Sequence, residues 1–200
     1  MWVRRWLLYI KPGRMAEAVA HLKTAPPEEG VTVRLLRPIC GAQAGETLIA
    51  EASFDDPDAQ YAPLSDPQPP NEWMQRWIEI SQSRGTHKLY QVEFTVETEG
   101  TPGLWVDRRV RWVKDGWRGE ALKRWQQAPL KLPPGTALRI LTPCTGELIG
   151  NVLVVETTFE SLTESETTEM LSQPEGRIWA TSVKALEMHE PTLELLRVVP

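Results

Sequence analysis

Two arginine–glutamate pairs carry the clearest chemical signal in this 200-residue sequence. Arg34 and Glu51 flank a Gly-containing turn centred near Ala42-Gln43, and Arg139 and Glu156 flank a second one near Glu147-Leu148. If each turn closes a hairpin, each arginine faces its glutamate across two strands. Such a cross-strand pair contributes roughly 0.2–1 kcal/mol, which is a structural role. The functional alternative is a polar lining whose arginines receive an anionic ligand. His87 and His189 each follow a tryptophan, Trp77 and Trp179, by ten residues. A histidine there could act as a general base near neutral pH or could cap a helix end. These two are the candidates for a catalytic role, and the third histidine, His21, reads as a surface residue of a helix. Cys40 and Cys144 have no flanking base and read as free thiols of a reducing compartment. Three histidines and two cysteines without a close pair predict no metal site. No Gly-rich phosphate loop, Gly-x-Ser-x-Gly or His-Glu-x-x-His motif is present, so no cofactor is predicted. Haem stays open, since it needs only one histidine and leaves no local motif.

The composition sets the frame. A net charge of -5 with scattered basic residues argues against nucleic acid as partner. Nothing approaches the ~18 consecutive apolar residues of a membrane span. The first residues, Met1-Trp-Val-Arg-Arg-Trp-Leu-Leu-Tyr-Ile, read as a strand rather than a signal peptide, and the expectation is a cytoplasmic protein. The nine tryptophans stand out, because this large amphipathic side chain favours cores, pockets and interfaces.

The chain is one unit written twice. Arg5 aligns with Arg108, Lys11 with Lys114, Gly13 with Gly116 and Glu17-Ala18 with Glu120-Ala121. After a two-residue insertion, Gly30, Arg34, Leu36, Glu51 and Phe54 align with Gly135, Arg139, Leu141, Glu156 and Phe159. A three-residue loss then brings Trp77 to Trp179 and His87 to His189. Residues 1–99 and 104–200 form the two repeats, joined by a Gly/Pro-marked linker at 100–103.

Each repeat reads β-α-β-β-α-β. Strand Trp2–Ile10 ends at Lys11-Pro12-Gly13; Arg14–Lys23 carries one apolar helical face until Pro26-Pro27. Strands Val31–Ile39 and Thr47–Phe54, helix Glu72–Ser83 and the alternating strand Leu89–Val96 follow. The second copy repeats this as Trp105–Val113, Trp117–Gln127, Thr136–Leu141, Leu148–Phe159, Pro174–Leu186 and Leu193–Val198. The proline-rich tract Asp55–Asn71 reads as an irregular flap, and Ser161–Leu171 as a short extra helix.

This order is the ferredoxin-like split βαβ, a sheet with helices on one face only. The opening Tyr9-Ile-Lys-Pro-Gly-Arg followed by an Ala-rich helix resembles the dimeric α/β-barrel proteins, among them the antibiotic-biosynthesis monooxygenases, chlorite dismutase-like and NIPSNAP-like proteins. The resemblance implies an α+β fold in which two tandem ferredoxin-like repeats pack their four-stranded antiparallel sheets as an intramolecular pseudo-dimeric barrel. It also implies a ligand within the barrel or between sheet and helices, and it implies no single chemistry. In the strand Trp105–Val113 the apolar face Val106, Val110 and Trp112 is expected against the helices. Trp105, Asp107, Arg109 and Arg111 are then expected toward the barrel or solvent, matching Trp2, Arg4, Trp6 and Leu8 in the first copy. The candidate ligand-binding set is therefore Arg34, Glu51, Arg139, Glu156, Arg109, Arg111, Trp6, Trp77 and Trp179. Three functions fit: a small-molecule binder, a cofactor-independent monooxygenase or isomerase, and a partner-binding module with a filled barrel. Assembly beyond the internal pseudo-dimer is compatible with each.

Overall fold

A computed structural model describes residues 1–40, 45–57, 71–83, 85–101, 103–129, 131–145, 150–161 and 173–200. The first repeat comprises β1 (Trp2–Tyr9), α1 (Met15–Leu22), β2 (Thr32–Cys40), β3 (Thr47–Phe54), α2 (Glu72–Ile80) and β4 (Thr86–Glu97). The second comprises β5 (Trp105–Trp112), α3 (Arg118–Gln126), β6 (Ala137–Pro143), β7 (Val152–Phe159), α4 (Pro174–Lys184) and β8 (Thr192–Val198). The turns after β1 and β5 need a left-handed residue, which Gly13 and Gly116 supply at φ 76° and 77°. Asn71 caps α2 by accepting the backbone N–H of Met74 at 2.8 Å. Both hairpin tips, most of the 55–71 flap and the expected helix over 161–171 lie outside the described residues.

The eight strands close into one antiparallel barrel in the order β1-β3-β2-β8-β5-β7-β6-β4. Each repeat keeps the ferredoxin-like order, with its first strand between its fourth and third. The repeats meet at two seams, β2 with β8 and β4 with β6. The linker is held against the second repeat: Thr98 donates its N–H to the Thr136 carbonyl at 3.0 Å, and Gly103 donates to Gly135 at 3.2 Å. A Cβ on Gly103 would stand 2.2 Å from the Phe159 carbonyl carbon, so only glycine fits there.

Because strand side chains alternate, the closed barrel has an inner and an outer side. On the outer side, α1 and α2 cover Leu8, Ile10, Leu35, Leu48 and Ala50, while α3 and α4 cover Val113, Leu138, Ile140, Leu153 and Val155. On the inner side two all-strand clusters mix residues of both repeats. One holds Val3, Tyr90, Leu141, Val152 and Val154; the other holds Leu36, Ile49, Val106 and Leu196.

Candidate functional site

Between these two inner clusters lies a layer of buried charge. The register sets Arg34 opposite Glu51 on β2 and β3, and Arg139 opposite Glu156 on β6 and β7. From the other side of each glutamate strand, Arg5 stands opposite Glu51 and Arg108 opposite Glu156. Each carboxylate thereby meets four arginines. Glu156 Oε1 accepts from Arg5 at 2.5 Å and Arg108 at 2.7 Å, and its Oε2 from Arg139 at 2.7 Å and Arg34 at 3.1 Å. Glu51 Oε2 accepts from Arg5 at 2.6 Å and lies 4.0 Å from Arg108, and its Oε1 accepts from Arg34 at 2.6 Å and from Arg139. Arg108 also donates to Glu194 at 3.1 Å, and the Arg5 guanidinium lies 4.7 Å from the Tyr90 ring centroid. Burial pushes the Glu156 carboxyl up, but the charges of Arg5, Arg108 and Arg34 outweigh it and hold the group at about 2. Burial opposes the charge on Arg5 as well, and Glu156 and Glu51 reverse this and raise it above its ordinary value. The expected Arg/Glu pairs therefore form, but their arginines are committed to the two glutamates. Leu36, Ile49, Val106 and Leu196 close one side of the layer, and Val3, Tyr90, Leu141 and Val154 the other.

The other expected residues lie outside this layer, and the expected faces of β5 are reversed. Val106, Val110 and Trp112 point into the barrel, and Arg109 and Arg111 lie on the helix-bearing side. Arg109 pairs with Asp107 at 2.8 Å, whose hydrogen bond raises the arginine above its ordinary value. Arg111 pairs with Glu187 and lies 5.1 Å from the Trp125 ring centroid on α3. Trp6, Trp77 and Trp179 also belong to the outer side.

The histidine and tryptophan alignment needs correction too. Ile10 bridges to Ser81, and Val113 bridges to Glu187. The offset is 103 between the first residues of these pairs (113 − 10) and 106 between the second (187 − 81). One residue is gained after β7, where a loss of three was expected. Trp179 therefore corresponds to Trp73, and Trp77 to Val183. Both Trp73 and Trp179 donate their indole N–H to the first helix of their repeat, to the His21 carbonyl at 3.3 Å and the Arg124 carbonyl at 2.7 Å. His87 corresponds to Leu193, and His189 is exposed beyond α4, its ring 4.6 Å from that of Trp112.

These shifts uncover a difference between the halves on the outer side. In the first, Trp6 and Trp77 are half-buried against one cluster. Arg4 lies 5.6 Å from the Trp6 centroid and 5.5 Å from that of Phe54. His87, exposed on β4, is the register partner of Trp6. His21, expected at the surface, is half-buried and stacked 4.6 Å from Trp73 and 6.4 Å from Trp77. In the second half the positions of Arg4, Trp6, Trp77 and His87 hold Asp107, Arg109, Val183 and Leu193.

The sequence reading missed Arg5, Arg108 and Glu194 in the charged layer, and His21 and Trp73 outside it. Arg5 and Arg108 align between the repeats; a β1–β3 pairing would have set both against the glutamates. Among the described residues no cluster of His, Cys, Asp and Glu is arranged to hold a metal ion, and no helix is long and apolar enough to cross a membrane. Cys40 and Cys144 are free; burial pushes the Cys144 thiol up, which disfavours a nucleophilic thiolate.

No protein-family profile and no curated protein matches the sequence. Solved structures do. An anthrone oxidase-like protein aligns over 100% of this chain and 91% of its own, at TM-score 0.66 and 16% identity. A proposed monooxygenase of Fusobacterium nucleatum aligns over 100% and 92%, at TM-score 0.67 and 12% identity. Another, from Lactobacillus acidophilus, aligns over 98% and 93%, at TM-score 0.70 and 13% identity. Each alignment spans both repeats. This chain has the dimeric α+β barrel fold, with both sheets of the barrel supplied by one polypeptide.

Proposed function

We propose that the protein binds a planar aromatic small molecule on the outer, helix-bearing side of its first repeat, against Trp6 and Trp77. The observation that carries this reading is the placement of half-buried aromatic rings there and not at the matching positions of the second repeat. Repeats under one packing constraint would hold similar residues, and a ligand surface in one half removes that constraint. Tryptophan suits such a surface, because it offers a large apolar face at low conformational cost. The inner side of the barrel is a poorer candidate, since its arginines are already ion-paired with Glu51 and Glu156, although Arg108 Nη2 is buried there without a hydrogen bond. The solved structures of this fold include an anthrone oxidase-like protein, and an anthrone is a planar aromatic ketone.

The probe is 2-naphthol, titrated by calorimetry. Trp6→Leu and Trp77→Leu each lower its affinity about tenfold, the loss of one favourable aromatic contact together with its buried area. Trp117→Leu, at an exposed site on the second repeat, leaves it unchanged. Wild-type affinity in both of the first two variants contradicts the reading.

A second reading, cofactor-independent oxidation of the bound aromatic, rests on His87. An imidazole opposite Trp6 can take a proton from a ligand lying on that face. With anthrone in air, His87→Ala then abolishes oxygen consumption while 2-naphthol still binds. Equal consumption in the variant removes this second reading and leaves the first.

A further inference from the structure

We propose that the seam where β2 meets β8 carries an anion site, formed by Arg37 and Arg197, which takes the dianionic group of a small phosphate monoester. Around the barrel, β2 and β8 lie two and three strands from β1, so this site stands or falls separately from the one at Trp6.

The register sets the two arginines directly opposite each other across the seam. The pairs on either side of them, Leu36 with Val198 and Pro38 with Leu196, include the inner-cluster residues Leu36 and Leu196. By strand alternation both arginines therefore point outward, where the helices leave them exposed. Directly opposed side chains of a sheet begin roughly 4.5–5.5 Å apart, and like charges in that position are destabilising. A counter-charge between them removes the cost. The protein supplies none: among the described residues neither arginine forms an ion pair. The carboxylate next along the outer side, Asp107 opposite Leu195, is committed to Arg109 at 2.8 Å. Arg197 is nevertheless held in place. Its guanidinium lies 5.5 Å from the ring centroid of Trp105, its register partner on β5, and this contact uses none of its N–H donors.

The other seam supplies a contrast. Where β4 meets β6, the places of Arg37 and Arg197 hold Thr142 and Gln91, which are register partners in their turn. Trp2 stands beside Gln91 as Trp105 stands beside Arg197. One seam is thus built with neutral residues and the other with two unpaired positive charges, so closing the barrel does not call for the arginines.

The charge selects the ligand. Guanidinium forks match phosphate oxygens, and a dianion neutralises both arginines, whereas a monoanion leaves one charge over. Ile39, 44% exposed at the bulge between Pro38 and Cys40, offers an apolar surface to the carbon part of the ester.

The test compares methyl phosphate with dimethyl phosphate, a dianion and a monoanion at pH ~8, at constant ionic strength. The readouts are the Trp105 indole N–H and Arg197 Nε–H resonances of ¹⁵N-labelled protein. On the wild type, methyl phosphate moves both and binds about tenfold more tightly than dimethyl phosphate. Arg37→Gln and Arg197→Gln each weaken its binding about tenfold, read at Trp105. Arg177→Gln removes an exposed arginine of α4 and leaves the affinity unchanged, as does Trp6→Leu. Three results would overturn the proposal: equal affinities for the two esters on the wild type, or no binding of either; wild-type affinity in both Arg37→Gln and Arg197→Gln; or an equal loss in Arg177→Gln, which would make the effect one of net charge. The first is read on the wild-type protein and does not depend on a variant folding.

Discussion

Glu156→Gln lowers the unfolding free energy by about 3–5 kcal/mol, the usual consequence of removing one member of a buried ionic cluster. The geometry explains why an isosteric amide does not rescue the site. Arg5 and Arg108 donate to one carboxylate oxygen, and Arg34 and Arg139 donate to the other. Whichever way the substituted amide turns, its NH₂ group faces two guanidinium groups as donor against donor. One acceptor is lost outright and the layer gains a unit of positive charge. Total stabilities run to roughly 5–15 kcal/mol, so the variant loses a large share of its margin. Glu190→Gln is the control. Its pair with Lys184 is exposed on both sides, and the expected change is within ~0.5 kcal/mol. Urea unfolding of both variants checks the contrast, and equal changes would contradict the role given to the buried layer.

Acid unfolding reads the same layer from another direction. The Glu156 carboxyl is held at about 2 against an ordinary 4.5. A depressed carboxyl stabilises the folded state at pH above the unfolded value, and this contribution fades as pH falls from about 4.5 toward 2. At ~1.36 kcal/mol per pH unit, that interval corresponds to about 3 kcal/mol. Unfolding free energy measured across pH should stay near its plateau down to about 5 and then fall steeply. In Glu156→Gln the plateau is lower and the acid limb shallower. An acid limb of unchanged steepness in the variant would assign the loss to other carboxylates.

The charged layer was half legible in the sequence. Two Gly-marked turns fixed the register of Arg34 against Glu51 and of Arg139 against Glu156, because strand periodicity is rigid once a turn is located. Arg5 and Arg108 escaped because their pairing joins strands separated by a helix, and no local spacing encodes it. The faces of β5 were inverted for a related reason. Seeking one apolar face for the helices assumes that a strand has one buried side, whereas a closed barrel buries two. Val106, Val110 and Trp112 fill the inner one, while Arg111 on the outer one is accommodated by Glu187 and Trp125. The error in aligning Trp77 with Trp179 was four residues, close to one helical turn, so the wrong match kept its helical face and looked right. Only the strand bridges Ile10–Ser81 and Val113–Glu187 reveal it.

The binding proposed here lies outside a barrel whose centre is occupied by its own charges. The nine tryptophans allow a direct measurement, the indole N–H spectrum of ¹⁵N-labelled protein during titration with 2-naphthol. Trp6 and Trp77 lie on the outer side of the first repeat, and Trp112 packs against the inner cluster of Val3, Tyr90 and Val154. The expected result is that the Trp6 and Trp77 resonances move with saturation while Trp112 stays in place. Movement of Trp112 with Trp6 and Trp77 unmoved would put the ligand inside the barrel and contradict it.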